Sequence, residues 1–260
     1  MTRLLRTTLL ILMASLLVTA CNKPAATATP PADDTNHIQQ VVHDYLLAHP
    51  EILIEVSQKL QAQQMQKMQD NALAVIKQQS DNLFNDKDSL VDGNPNGDVT
   101  LVEFFDYQCV HCAHMYPVVQ SLIANNKNLR VVLKEFPIFG EASQYAAAAV
   151  LAAQEQGKAT ALHDALFKSG LIEGKLTDAD VLKLAKAAHI NIVKLKQAMD
   201  SARVKSEISN NFQLAQALGL QGTPGFIVAP TPGSTAKGKT TFIPGASDQK
   251  QLQEAIDSAA

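Results

Sequence analysis

Two cysteines three positions apart, Cys109 and Cys112, follow directly on an apolar run of strand length, Val99 to Phe105 (VTLVEFF). Residues 109–126 then have helical character. A strand that ends in Cys-Val-His-Cys and opens a helix has a clear chemical logic. The first cysteine falls at the helix N-terminus, where unpaired backbone N–H groups and the helix dipole stabilise a thiolate. The second lies one turn further in, so one thiolate attacks a substrate sulfur and the other resolves the mixed disulfide. His111, between them, brings a donor or a positive charge close to Cys109 and lowers its pKa further. A thiolate of low pKa stabilises the reduced form and makes the disulfide the stronger oxidant.

Other uses of the pair fit less well. A zinc ribbon needs a second CxxC or a paired histidine, and a c-type haem needs histidine where Ala113 stands. Copper or zinc on Cys109, His111, Cys112 and His114 asks one short helix to fold four ligands around an ion. A purely structural disulfide would be the only pair in the chain, and in a very tight loop. We therefore expect redox exchange, with neither metal nor cofactor. An envelope copper chaperone that uses the same Cys/His cluster stands as the rival class. The other histidines (His37, His43, His49, His163 and His189) lie on helical segments without partners at ligand spacing and are expected at the surface or satisfied in the core.

The remaining composition narrows the class. With 260 residues and 46% hydrophobic content the chain is too apolar to be disordered throughout, and it lacks the long apolar runs of a polytopic membrane protein. Its net charge of -3, with no basic block, is a poor match for nucleic-acid phosphates. Arg3 and Arg6 precede an uncharged stretch, Leu9 to Ala20, that is too short to span a bilayer, so residues 1–20 read as a secretory signal peptide. Val18-Thr19-Ala20-Cys21 resembles the lipobox of bacterial lipoproteins. That resemblance implies lipidation of Cys21, and Asn22 after it favours the outer membrane; an ordinary soluble signal peptide is the alternative. Either way the mature chain works in the periplasm, where disulfides persist, and in the lipidated form it meets the membrane through that anchor only.

Residues 21–36 are small, polar and proline-bearing, as in a flexible tether. Residues 37–80 carry helical spacing: Ile38, Val41, Val42, Tyr45 and Leu46, a break at Pro50, then a stripe of Leu53, Val56 and Leu60 in a glutamine-rich stretch free of Gly and Pro. Such a helix has little bulk to fold around. We expect a dimerisation arm, the alternative being a helix folded back on its own domain. Residues 81–260 supply a domain: strands at 99–105 and Leu129 to Phe136, a helical block at about 141–218, strands at Gly225 to Val228 and Thr240 to Ile243, and a last helix over 247–259. The order predicts an α/β fold with helices inserted in the middle.

FFDYQCVHCAHMYP, then VVLKEFP, then GTPGFIV resembles the DsbA family of thioredoxin-fold disulfide oxidoreductases, over roughly residues 37–260. More narrowly the chain is similar to the N-terminally extended, dimerising lipoproteins and copper-sensitivity proteins. The resemblance implies a thioredoxin fold with a helical insertion behind the helical arm, and a homodimer. It makes Cys109 the nucleophile and Cys112 the resolving thiol. It makes Thr223-Pro224 the pair that faces the active site and binds substrate, with the Thr–Pro bond cis. Glu103, a carboxylate in an apolar strand, should have a raised pKa and pass protons to or from Cys112. Lys134, in the next strand, resembles its buried partner, or else snorkels to the surface. Partners implied are unfolded or misfolded cysteine-bearing envelope proteins and a membrane redox protein. Val-His between the cysteines points to an oxidase, whereas Thr223 resembles the isomerase and reductase branch, and the two pull in opposite directions.

Overall fold

A computed structural model describes residues 32–260. The expected signal peptide, Cys21 and the tether up to residue 31 lie outside the described residues. The chain divides into two units, one reaching Leu60 and the other Gln61–Ala260.

In the first unit α1 (Ala32–Ala48) starts inside the stretch read as tether, so residues 32–36 are helical. Pro50, which has no N–H to give, separates it from α2 (Glu51–Gln78). Ile38, Val41, Val42 and Tyr45 on α1, and Leu53, Val56 and Leu60 on α2, are each more than half exposed. The helical period is present, and the apolar residues it aligns are left uncovered.

The second unit is built on five strands: β1 (Leu90–Gly93), β2 (Val99–Phe105), β3 (Leu129–Glu135), β4 (Gly225–Pro230) and β5 (Thr241–Ile243), in the order β1-β3-β2-β4-β5. β2 and β3 are parallel, joined through α4 (Val110–Asn125), and the other pairs are antiparallel. β1 escaped the sequence pattern. It is only four residues long and runs straight into the Gly-Asn-Pro-Asn-Gly turn, where Gly93 sits at φ 71. The helical block resolves into α5 (Glu141–Ala153), α6 (Ala159–Lys168), α7 (Asp178–Ala187), α8 (Ile192–Met199) and α9 (Ala202–Ala217), and α10 (Gln249–Ala259) closes the chain. α3 (Ser80–Phe84) follows α2.

Every residue of β2 is buried, because helices cover both faces of the sheet. Leu101, Phe105, Val131, Leu133 and Phe226 pack on the face toward α4 and the inserted helices. Val102, Phe104, Val132 and Ile227 pack on the other face with Ala72, Ile76, Leu83, Phe84 and Leu214. Phe104, Phe105 and Phe226 are fully buried and contribute roughly 1.5–3 kcal/mol each.

The register decides where the two charged strand residues point. Glu103 lies level with Leu133 and Phe226, on the α4 face, whereas Lys134 lies level with Phe104, on the opposite face. Lys134 is fully buried, so it does not snorkel; it is not the partner of Glu103 either. Its Nζ meets Asp86 Oδ2 at 2.9 Å and Glu207 Oε1 at 3.5 Å, and the Ser89 hydroxyl donates to the same Glu207 oxygen at 3.0 Å. Burial holds the Glu207 carboxyl above its ordinary range, and hydrogen bonds from Glu207 and Lys134 keep Asp86 below its own despite burial. The cluster ties the segment after α3 to β3 and α9. Lys134→Ala should therefore cost about 3–5 kcal/mol by leaving buried Glu207 and half-buried Asp86 without their cation. Urea unfolding checks this: an unchanged midpoint would mean that the cluster contributes nothing.

Candidate active site

β2 ends at Phe105 and α4 begins at Val110, which leaves four residues in which to turn a strand into a helix. Cys109 is the N-cap residue, extended at φ -76 and ψ 119, and its carbonyl accepts the first helical bond, from the Ala113 N–H at 3.0 Å. Its N–H donates to the Asp106 carbonyl at 3.2 Å, which closes the turn. The N–H groups of the first helical turn have no partner within the helix, the Cys109 side chain makes no cap hydrogen bond to them, and those of His111 and Cys112 favour the Cys109 thiolate.

The two thiols are held far apart in acidity. Cys109 is pulled down to about 5, first by a hydrogen bond from the Cys112 thiol, then, against the cost of burial, by the Thr223 side chain and the N–H groups of Cys112 and His111. Cys112 is fully buried and pushed far up, by burial first, then by the hydrogen bond it gives to Cys109 and by the charges of Glu103 and Cys109. At neutral pH the pair is one thiolate and one thiol. His111 acts through its backbone N–H, and its ring is exposed.

Thr223 serves both states of Cys109. The Thr223–Pro224 bond is cis, and the Thr223 carbonyl accepts a hydrogen bond from the Cys109 thiol at 3.3 Å. The Thr223 hydroxyl is buried with no hydrogen-bond partner in the protein, and it contributes to the lowered pKa of Cys109.

Glu103 is 5% exposed, and its carboxyl is pushed up to about 8, by burial and then by the Cys109 charge. Its charge also contributes to the raised pKa of Cys112.

The structure adds groups that the sequence pattern did not single out. Asp106 and Gln108 are buried beside Cys109. Beneath them the Tyr107 hydroxyl donates to Glu135 Oε1 at 2.9 Å and lies 3.0 Å from His163 Nδ1. Burial raises Tyr107 and Glu135 and lowers His163 to about 4, so this buried chain is neutral at His163. Its signal in the sequence was faint: Glu135 directly follows Lys134, and which of the two faces the active side depends on the register. The Cys109, His111, Cys112, His114 set is not gathered, since both histidines are exposed while both cysteines are buried. Among the described residues no group of three or more His, Cys, Asp or Glu is placed to hold a metal ion, and no helix is long and apolar enough to cross a membrane.

The profile of the DSBA-like thioredoxin domain matches residues 100–257, and that of the copper resistance protein ScsC N-terminal domain matches residues 34–67. The crystal structure of BcfH from Salmonella enterica Typhimurium is 34% identical, with a TM-score of 0.76 over 87% of this chain and 96% of that one. Thiol:disulfide interchange protein DsbA of Bordetella pertussis is 30% identical over 51% of this chain and 64% of its own length. Na(+)/H(+) antiporter NhaA 3 of Salinispora tropica is 29% identical over 53% of this chain. The match spans only 21% of that antiporter and just under two thirds of the DsbA relative.

The Glu103 carboxyl, near 4.5 when unfolded, is near 8 in the reduced fold. Its contribution to stability is therefore fully present below 4.5 and is lost as pH rises through 8, at about 1.4 kcal/mol per pH unit in that window. Glu103→Gln should remove this component. Comparing urea midpoints of the two reduced proteins from pH 5 to 8 tests it, and parallel falls would show that Glu103 is not the group involved.

Proposed function

The chain belongs to the family of DSBA-like thioredoxin domains, and we propose that it is an exported thiol–disulfide oxidoreductase that works on cysteine-bearing proteins of the cell envelope. The observation that carries this is the split acidity of Cys109 and Cys112 at the start of α4, with Thr223 facing the nucleophile.

In the oxidising direction a client thiolate attacks the Cys109 sulfur of the Cys109–Cys112 disulfide. The S–S bond breaks, Cys112 leaves with the electron pair, and Glu103 returns a proton to it. A second client thiolate then attacks the mixed disulfide, and Cys109 leaves as a thiolate. The client loses two electrons and the cysteine pair gains them. A membrane redox partner would reset the pair by the same exchange. In the isomerising direction the Cys109 thiolate attacks a wrong client disulfide and is later expelled by another client thiol.

The balance between these directions follows from what stabilises the thiolate. Thr223, the residue that resembles the isomerase branch, lowers Cys109 along with the α4 N–H groups. In this chain it pulls in the same direction as the Val-His dipeptide was expected to, toward an oxidising couple. Lipidation at Cys21 and an outer-membrane location complete the proposal, with the client and the redox partner met in the periplasm.

The exposed apolar residues of α1 and of the first half of α2 support self-assembly through this arm, in line with the ScsC-type match over residues 34–67. The chain freed of residues 1–20 should then run at a multiple of its single-chain mass in light scattering, and Val41→Glu with Val42→Glu should return it toward a single chain. A wild-type mass of one chain would remove the arm from the proposal.

Cys109→Ala should abolish exchange, while Cys112→Ala should accumulate clients in mixed disulfides. Non-reducing gels of cell extracts read both, and a Cys112→Ala protein that captures no client would overturn the mechanism.

A further inference from the structure

Asp106 directly follows β2 and is 1% exposed. Its Oδ1 accepts the Gln108 N–H at 2.8 Å and the Ser143 hydroxyl at 2.7 Å. Its Oδ2 accepts the N–H groups of Ile138 at 2.7 Å and Phe139 at 3.0 Å. Its carbonyl receives the Cys109 N–H, and its own N–H acts on the Cys112 sulfur. Gln108 extends the set. Its Nε2 donates to the Ser143 hydroxyl at 3.0 Å and more weakly to the Phe139 carbonyl at 3.4 Å. Its Oε1 and carbonyl accept the N–H groups of Gly174 and Glu173, each at 3.0 Å, and Glu173 sits at φ 55.

We propose that Asp106 is the positioning residue of this site: one buried carboxylate holds the Cys109 turn and the Ile138–Phe139 lip as a single unit, and so presents the nucleophile and an exposed phenylalanine to the same client. This rests on the oxidoreductase reading of Cys109 and deepens it.

An ionised carboxylate has about four acceptor sites, and here all are filled by donors from three separate segments. No neutral side chain of that size does the same. Asparagine would turn an NH2 group onto buried N–H donors and strand them. The turn matters to chemistry because the His111 and Cys112 N–H groups favour the Cys109 thiolate, and a relaxed turn takes the sulfur out of their reach. Phe139 is 53% exposed, yet its N–H and carbonyl are both bonded to residues flanking the nucleophile. Binding energy gained on that ring is thereby delivered next to the reacting sulfur.

The other groups around these two residues are few. Cys109 faces Glu103 from β2, Cys112 and the α4 N–H groups, and Thr223 from the segment before β4. The Asp106 charge is felt by Tyr107 and Glu135.

The test uses the full reduced protein, its Asp106→Asn variant and its Ser143→Ala variant, each reacted with a small aromatic disulfide from pH 4 to 8. Near-UV circular dichroism checks that each is folded. Asp106→Asn should move the rate profile up by about one pH unit, which is about a fivefold loss at pH 5 and almost none at pH 8. Ser143→Ala should move it the same way by less. Equal losses at both pH values, or an unmoved profile in folded protein, would overturn the proposal. Should Asp106→Asn not fold, an unmoved Ser143→Ala profile overturns it alone. A wild-type protein without thiolate-dependent exchange would instead sink the oxidoreductase reading itself.

Discussion

The site depends on one junction. β2 must stop and α4 must start within four residues, and the first helical N–H groups are left without a partner inside the helix. Beside them stands a sulfur that becomes an anion more readily in their presence. Structural need and chemical activation thus meet at one place. Around this junction the sheet contributes rigidity, since β2 is buried along its whole length between β3 and β4.

The sheet also sorts charge. Glu103 and Lys134 lie on adjacent strands, close enough in sequence pattern to suggest an ion pair, and a one-residue offset in register places them on opposite faces. Each face then solves its own problem. Lys134 is neutralised by Asp86 and Glu207, far from the sulfur chemistry. Glu103 is left to burial and the nearby Cys109 charge, which together push its carboxyl up to about 8. Had the pair formed, the lysine would have held Glu103 ionised and removed it from proton traffic.

The cysteine pair, both long strands, the helical insertion and the Thr223-Pro224 loop were legible because each has a local signature: spacing, apolar run, absence of Gly and Pro, or a turn dipeptide. β1 was not, since four residues ending in glycine carry no usable period. The side to which Lys134 points was not legible either, because parity along one strand says nothing without the neighbour's register. Asp106, Gln108 and Ser143 were hidden for a related reason. Their bonds join residues more than thirty positions apart, and a single polar residue after a strand looks like any loop residue until the fold brings Ile138 and Phe139 to it. Glu135, Tyr107 and His163 meet across similar or longer separations.

Cys112 is wholly enclosed, so no visitor touches it. In the exchange proposed above, every electron pair passes through the Cys109 sulfur, so one client is held at a time. Thiols from outside complete each forward step, and the enclosed cysteine competes with them only by taking the disulfide back.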